Sequence, residues 1–336
     1  LKSIYLYLIL LTLSCYFAVA QDVHFSQYYF SPLSLNPANT GNFKGDYRFF
    51  GNYRTQWRNL DKGFNTYSAG GDVNIFPNNY NVGAGLILIN DLSAENLGVT
   101  KILPSAAWHL KIAGFKIHLG IQPGLVIKSI DFYRHSFPEQ LNWGTGKFDN
   151  TLPNSEPNVG QRFVFFDGSA GAIVSKKMGP VETLLGFSMF HINRPTDSFL
   201  SNTKSQLPVR HALSGELNIN LNRLLVLHLH SLYGFTTKAS DWVSGANLEM
   251  ILNRDAFFTN SVFAGLMWRD GIKRNADAAI FTAGLNYSHY TFGFSFDLTQ
   301  SQLKTSVNNQ GAYELAIIYR GKSTRLTRKV VPCERY

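Results

Sequence analysis

His228 and His230 stand two apart in the run Leu225–Leu232, so on a β-strand both imidazoles leave from one face, a geometry that can hold a metal ion. No Cys, Asp or third His stands at matching spacing, and the pair reads instead as the polar face opposite Leu225, Leu227 and Leu229. Ser288 and His289 put a hydroxyl beside a base, yet neighbours on a strand point to opposite faces, which keeps a nucleophile from its base. The chain contains no G-x-S-x-G, H-E-x-x-H or G-x-x-x-x-G-K-[ST] pattern, so hydrolase, zincin and nucleotidase readings have no motif behind them. No residue set nominates a cofactor. Glu216, Glu249 and Asp297 fall in the polar phase of their segments, as do Lys116, Lys128 and Arg210, and pairs among them would brace a polar interior.

These side chains need strands to position them, and period-two alternation supplies the strands. Phe115, Ile117, Leu119 and Ile121 alternate with Lys116, His118, Gly120 and Gln122. Tyr290, Phe292, Phe294, Phe296 and Leu298 alternate with Thr291, Gly293, Ser295 and Asp297. Leu213, Leu217, Ile219 and Leu221 oppose Ser214, Glu216, Asn218 and Asn220. Segments of this kind are predicted at 47–54, 64–75, 81–90, 97–110, 114–129, 162–175 and 180–192. The second half adds 209–221, 223–236, 242–253, 257–269, 277–288, 290–298 and 312–320. That makes about fourteen, an even number, most of them at least the roughly ten residues that a tilted strand needs to cross a bilayer.

Loop rhythm separates a membrane barrel from a soluble sandwich, which alternates too. With the first strand running outward, the inner connections (76–80, 111–113, 176–179, 222, 254–256, 289) are brief. Among the outer ones, 130–161, 193–208 and 299–311 are long and rich in Asn, Ser, Pro and Gly, and only 237–241 is short where length is expected. A sandwich gives no reason for this order. The expected fold is therefore an all-β, up-and-down transmembrane barrel with long extracellular loops and short periplasmic turns.

Composition agrees. Charged residues make up 16% of the 336 while aromatics reach 14%, with 26 Phe and 16 Tyr, which suits interfacial aromatic girdles better than a water-facing surface. Beyond the N-terminus no stretch approaches the roughly twenty apolar residues of a spanning helix. At the start, Lys2, the apolar run 4–13 and Ala18-Val19-Ala20 form a secretory signal with cleavage expected after Ala20. Cys15 would then leave with the signal, since Thr12 breaks a lipobox, and Cys333 would be the one remaining thiol. Removing Lys2 takes the formal charge from +9 to +8, because residues 1–20 carry no other charge. Export turns this basic excess toward anionic lipid or an acidic partner and away from nucleic acid. Part of it sits in a tail expected to be periplasmic, 321–336, with Lys322, Arg325, Arg328, Lys329 and Arg335 against Glu334. Pro32 and Pro37 interrupt the stretch 21–46, which is expected to form an irregular segment or plug at the periplasmic mouth of a barrel running from 47 to 320.

The two ends carry a resemblance. Gln21-Asp22-Val23-His24-Phe25-Ser26-Gln27-Tyr28, then Asn36-Pro37-Ala38-Asn39-Thr40-Gly41, is similar to the Q-D-P-x-F-S-Q-Y and N-P-A-x-x-G opening of the PorP/SprF family of the Bacteroidota type IX secretion system. Arg54-Thr55-Gln56-Trp57 resembles its R-x-Q-W, Gly311-Ala312-Tyr313-Glu314-Leu315 its G-S-H-E-[IL], and Cys333-Glu334-Arg335-Tyr336 its C-P-R-[FY] ending. Val23 and Glu334 stand where the family has Pro. The resemblance implies a non-enzymatic outer-membrane barrel, without cofactor, that helps secrete or anchor large surface proteins such as gliding adhesins. Its implied partners are outer-membrane lipid and either machinery subunits or one large adhesin. Phe25, Ser26, Gln27, Tyr28, Asn36, Pro37, Gly41, Arg54, Gln56, Trp57, Glu314, Cys333, Arg335 and Tyr336 become the candidate partner-contact or signature residues. A passive channel for small solutes is the alternative.

Overall fold

The computed structural model of the chain describes residues 24–58, 63–75, 81–93, 97–130, 138–149, 151–152, 162–199, 205–237, 239–254, 259–270, 276–300 and 310–322. The expected signal segment and nearly all of the basic tail, with Cys333, Arg335 and Tyr336, lie outside them. Its strands are β1 (Tyr47–Gln56), β2 (Phe64–Asn74), β3 (Asn81–Ser93), β4 (Leu97–Ile112), β5 (Phe115–Ile130), β6 (Leu141–Asn142), β7 (Lys147–Phe148) and β8 (Arg162–Met178). There follow β9 (Val181–Phe190), β10 (Arg210–Asn220), β11 (Leu225–Phe235), β12 (Ser240–Arg254), β13 (Thr259–Asp270), β14 (Ala276–Tyr287), β15 (Tyr290–Thr299) and β16 (Gln310–Gly321).

All but β6 and β7 join one closed antiparallel barrel in which each strand pairs with its neighbour in sequence and β16 returns to β1. Closure removes the free edges that bare backbone groups would expose to lipid. The fourteen walls coincide with the fourteen alternating segments. β6 and β7 form a small hairpin inside the longest outer connection, which alternation in the sequence does not announce. β3 runs on to Ser93, past its expected end, leaving three residues before β4, and β13 and β14 are separated by only five, so 236–239 is not alone in being brief among the outer connections.

Each strand shows which side is wet. On β5, Leu119, Ile121 and Leu125 are exposed toward lipid, whereas His118, Gln122 and Val126 are buried inside. Aromatics gather near both rims. Tyr319 lies 6.1 Å from Tyr47 and 5.0 Å from Tyr290 at the short-turn end, while Tyr53–Tyr67 and Phe296–Tyr313 contacts of 5.0 and 4.8 Å mark the long-loop end. Such girdles seat a barrel at the two interfaces.

The apolar core lies inside the lumen. The chain preceding β1 is compact: a 3-10 turn Tyr28–Phe30, one short helix Pro32–Leu35 and a second 3-10 turn Pro37–Asn39. Proline sets φ at the start of the last two. Asn36 caps the second turn by accepting the Ala38 N–H at 2.9 Å. Phe30 and Leu33 pack with Phe50, Ile87, Ile89, Leu103, Ala316 and Ile318, and Tyr28 packs with Phe190, Leu232, Val243, Met267 and Ile280. The segment is thus a plug threaded through the barrel, not a cap at its periplasmic mouth. Its aromatic residues need an apolar home, and with lipid taking the outer face the lumen provides one.

Candidate functional site

The plug enters at the short-turn end, where Asp46 N–H donates to Gly321 O, and climbs toward the long loops as its numbering falls. At its foot Arg48 on β1 clamps Asp72 on β2 with two bonds of 2.9 and 2.7 Å, and its Nη2 also donates to Asn39 O. Asp72 accepts the Gly41 N–H at 2.7 Å. Gly41 has φ +75°, and a Cβ there would stand 2.7 Å from Gly83 Cα, so only glycine fits this bend.

Halfway up, Asn36 Nδ2 donates to Ala172 O on β8 and Phe187 O on β9 at 3.2 and 3.1 Å. Gln122 Nε2 on β5 donates to Leu33 O, and Thr40 Oγ1 donates to Ser105 Oγ on β4. Glycines of the lumen face leave the track open. A Cβ on Gly83 would meet Thr40 O at 2.1 Å, on Gly120 Ala38 N at 2.3 Å, and on Gly171 Asn36 Oδ1 at 2.0 Å. Tyr29 stacks on His230 of β11 at 4.6 Å and its hydroxyl accepts from Asn247 of β12 at 3.0 Å.

The top of the plug is held by charge. Ser26 and Gln27 donate their backbone N–H groups to the two oxygens of Glu314 on β16, at 2.6 and 2.9 Å. Ser26 Oγ donates to Asp297 on β15 at 2.7 Å and accepts from Arg54 of β1 at 2.7 Å and Arg269 of β13 at 3.1 Å. Arg54 also pairs with Glu314, and Arg269 Nη2 reaches Asp297 at 3.0 Å. All four ionic side chains are buried, and two cations balance two anions, the condition under which buried charge is tolerable. Four strands from two parts of the sequence meet on one serine.

Of the residues singled out by sequence, Phe25, Ser26, Gln27, Tyr28, Asn36, Pro37, Gly41, Arg54 and Glu314 are buried in this assembly. Gln56 accepts from Arg54 Nη2 at 3.1 Å, and Trp57 packs edge-on against Phe64 at the outer rim. Arg48, Asp72 and Arg269 and the three glycines were not foreseen; their common signal is the lumen phase of their strands. The expected charge pairs need correction. Asp297 answers Arg269 and Arg54, Glu249 answers His228 at 2.7 Å, Lys128 answers Asp197 at 2.6 Å, and Glu216 accepts from Asn218 Nδ2 at 2.8 Å. Arg210 faces Asp241 at 3.8 Å, and Lys116 is exposed at the short-turn end, because register chose the partners. Ser288 and His289 lie in the β14–β15 turn, with Ser288 at φ +52°, so strand alternation does not govern them. Each is engaged with backbone or amide groups: Ser288 N–H donates to Asn260 Oδ1, and His289 Nδ1 lies 2.8 Å from Arg320 O. His228 and His230 do share the lumen face.

Residues 18–319 match the family described as type IX secretion system membrane protein PorP/SprF. The chain belongs to the PorP/SprF family. It is accordingly an outer-membrane β-barrel, and its family and fold neighbours are secretion and transport barrels rather than enzymes. This PorP/SprF barrel is similar in fold to the CymD monoaromatic hydrocarbon channel, with a TM-score of 0.52 at 8% identity over 88% of this chain and 94% of that one. A Pseudomonas aeruginosa FadL homologue (TM-score 0.48, 10% identity, 86% and 94% covered) and the Ralstonia pickettii toluene transporter TbuX (0.47, 10%, 87% and 94%) also align. No curated relative matches the sequence.

Proposed function

We propose that this barrel is a non-conducting component of type IX secretion that serves the secretion or surface anchoring of large proteins such as gliding adhesins. It does so by binding a machinery subunit or the cargo, not by passing solutes. The observation that carries this reading is the plug: a stretch of its own chain occupies the lumen and is fixed at foot, waist and top by buried polar contacts to many strands. These apolar and ionic contacts fill the axis along which a solute would have to pass. The signature residues from Phe25 to Gly41, with Arg54 and Glu314, then serve the plug, and Cys333, Arg335 and Tyr336 become the candidates for partner contact.

Purified protein in planar bilayers is expected to be electrically silent. Affinity capture from native membranes is expected to bring down a type IX subunit or a large adhesin. Steady wild-type conductance would return the solute channel to first place, and capture of neither partner would remove the secretion role.

A further inference from the structure

The wall has a flaw at mid-height between β4 and β5. Pairing runs from Leu97 with Ile130 to Ile102 with Leu125 and resumes at Ala106 with Ile121, so Leu103, Pro104 and Ser105 are unbridged against Gln122, Pro123 and Gly124. The register is unchanged across the gap, which sets Pro104 directly opposite Pro123. Among the described residues these are the only prolines within barrel strands, and both are exposed on the lipid face. In an antiparallel ladder only alternate pairs exchange bonds, and a pair of prolines at such a site deletes both. The flanking pairs then lose their bridges too, which is the pattern seen. The Pro104 and Pro123 carbonyls are left without ladder donors in the middle of the hydrocarbon, where an unmet backbone group costs several kcal/mol. A rule broken this squarely at one place marks a working part.

On the lumen side the gap is filled by one leucine. A Cβ on Gly124 would stand 2.3 Å from Leu103 Cδ2, so the Leu103 side chain occupies the space that Gly124 leaves empty. The next lumen-facing pair outward, Lys101 with Val126, borders a cavity of about 330 Å³. Phe64, Phe165 and Phe235 give that cavity apolar surface, and Lys101, Lys128 and Arg210 line it with three cations against the two carboxylates of Asp91 and Asp241. Lys128 is held by Asp197 at 2.6 Å, whereas the Arg210–Asp241 ion pair is longer, at 3.8 Å, so a ligand carboxylate that displaces Asp241 can take the Arg210 fork.

We propose that the β4–β5 break is a lateral port through which a single-chain anionic amphiphile, chemically a fatty acid, passes from the outer membrane into this cavity. Rotation of Leu103 opens the way, the strands part without breaking a bond at the prolines, the chain lies among the phenylalanines and the head group reaches Arg210. The ligand is taken from the bilayer, so it need never cross the loops, and of the plug's contacts only those of Phe30 and Leu33 with Leu103 have to yield.

The test uses the full-length protein with Cys333→Ser, in vesicles carrying a diazirine-labelled dodecanoate, with adducts mapped by mass spectrometry after irradiation. Wild-type wall is expected to give adducts at Phe165, Phe235 and Lys101. Leu103→Cys with Gly124→Cys places a disulfide across a non-hydrogen-bonded pair, where the Cα atoms are close enough to bridge. Oxidation should lower cavity adducts at least tenfold and reduction should restore them. Pro104→Val with Pro123→Val restores both ladder bonds from the lipid side and should slow labelling by a similar factor, with heat-modifiable migration confirming a folded barrel. Adducts confined to lipid-facing residues would overturn the site. Equal cavity labelling in the locked and unlocked forms would overturn the port.

Discussion

Ser26 is the point on which the plug depends, because its amide and hydroxyl together join two carboxylates and two guanidinium groups. Removing one ion from a balanced buried set leaves its partner charged and dry, which costs about 3–5 kcal/mol. Arg54→Leu is therefore expected to lower stability by that amount in urea unfolding of the detergent-solubilised barrel. Adding Glu314→Gln should recover part of the loss, since the unpaired anion is removed and the two sites couple. Gly171 tests the track without touching charge. Gly171→Val puts carbon where Asn36 Oδ1 lies, 2.0 Å away, whereas a Cβ at Gly215 meets nothing nearer than 3.8 Å. Limited proteolysis should cut within residues 24–45 of Gly171→Val while the wall resists. Gly215→Val should be cut no faster than wild type.

As an element, the plug packs against a wall that is complete without it, since barrel pairing runs strand to strand all the way round. A chain lacking residues 24–45 is expected to keep heat-modifiable migration and to conduct ions in planar bilayers where the whole protein is silent; a silent deletion would show that something else blocks the lumen. The wall was legible in the sequence and the plug's path was not, for a physical reason. Strand order and facing follow from a period of two, visible in ten residues such as Tyr290–Thr299. The plug's bonds join Ser26 to Asp297 and Asn36 to Ala172, and no local pattern encodes partners that distant in sequence. Pro32 and Pro37 announced irregularity but not direction, so the segment was expected at the mouth. Gly83, Gly120 and Gly171 held the missing clue. Read in lumen phase they trace a groove, although singly each looks like a weak strand position.

The molecule as a whole reverses the usual arrangement, with its packed core on the axis and exposed leucines and phenylalanines outside. Charge tolerance should follow the same geometry. Leu185, at mid-strand on β9 and 62% exposed to lipid, is expected to lose about 2–4 kcal/mol on Leu185→Arg, measured by reversible unfolding into and out of vesicles. Lys147→Glu, on the exposed outer hairpin, should change stability by less than about 0.5 kcal/mol. The closed circle also imposes an order of events. Glu314, which receives the amides of Ser26 and Gln27, lies on one side of the seam that closes the barrel, and Arg54 lies on the other. Until β16 zips onto β1 the latch has no keeper. Locking of the plug thus waits on closure of the barrel, and a chain left open at the β1–β16 seam would have an open rim and a loose N-terminus, a state that quality-control proteases can recognise.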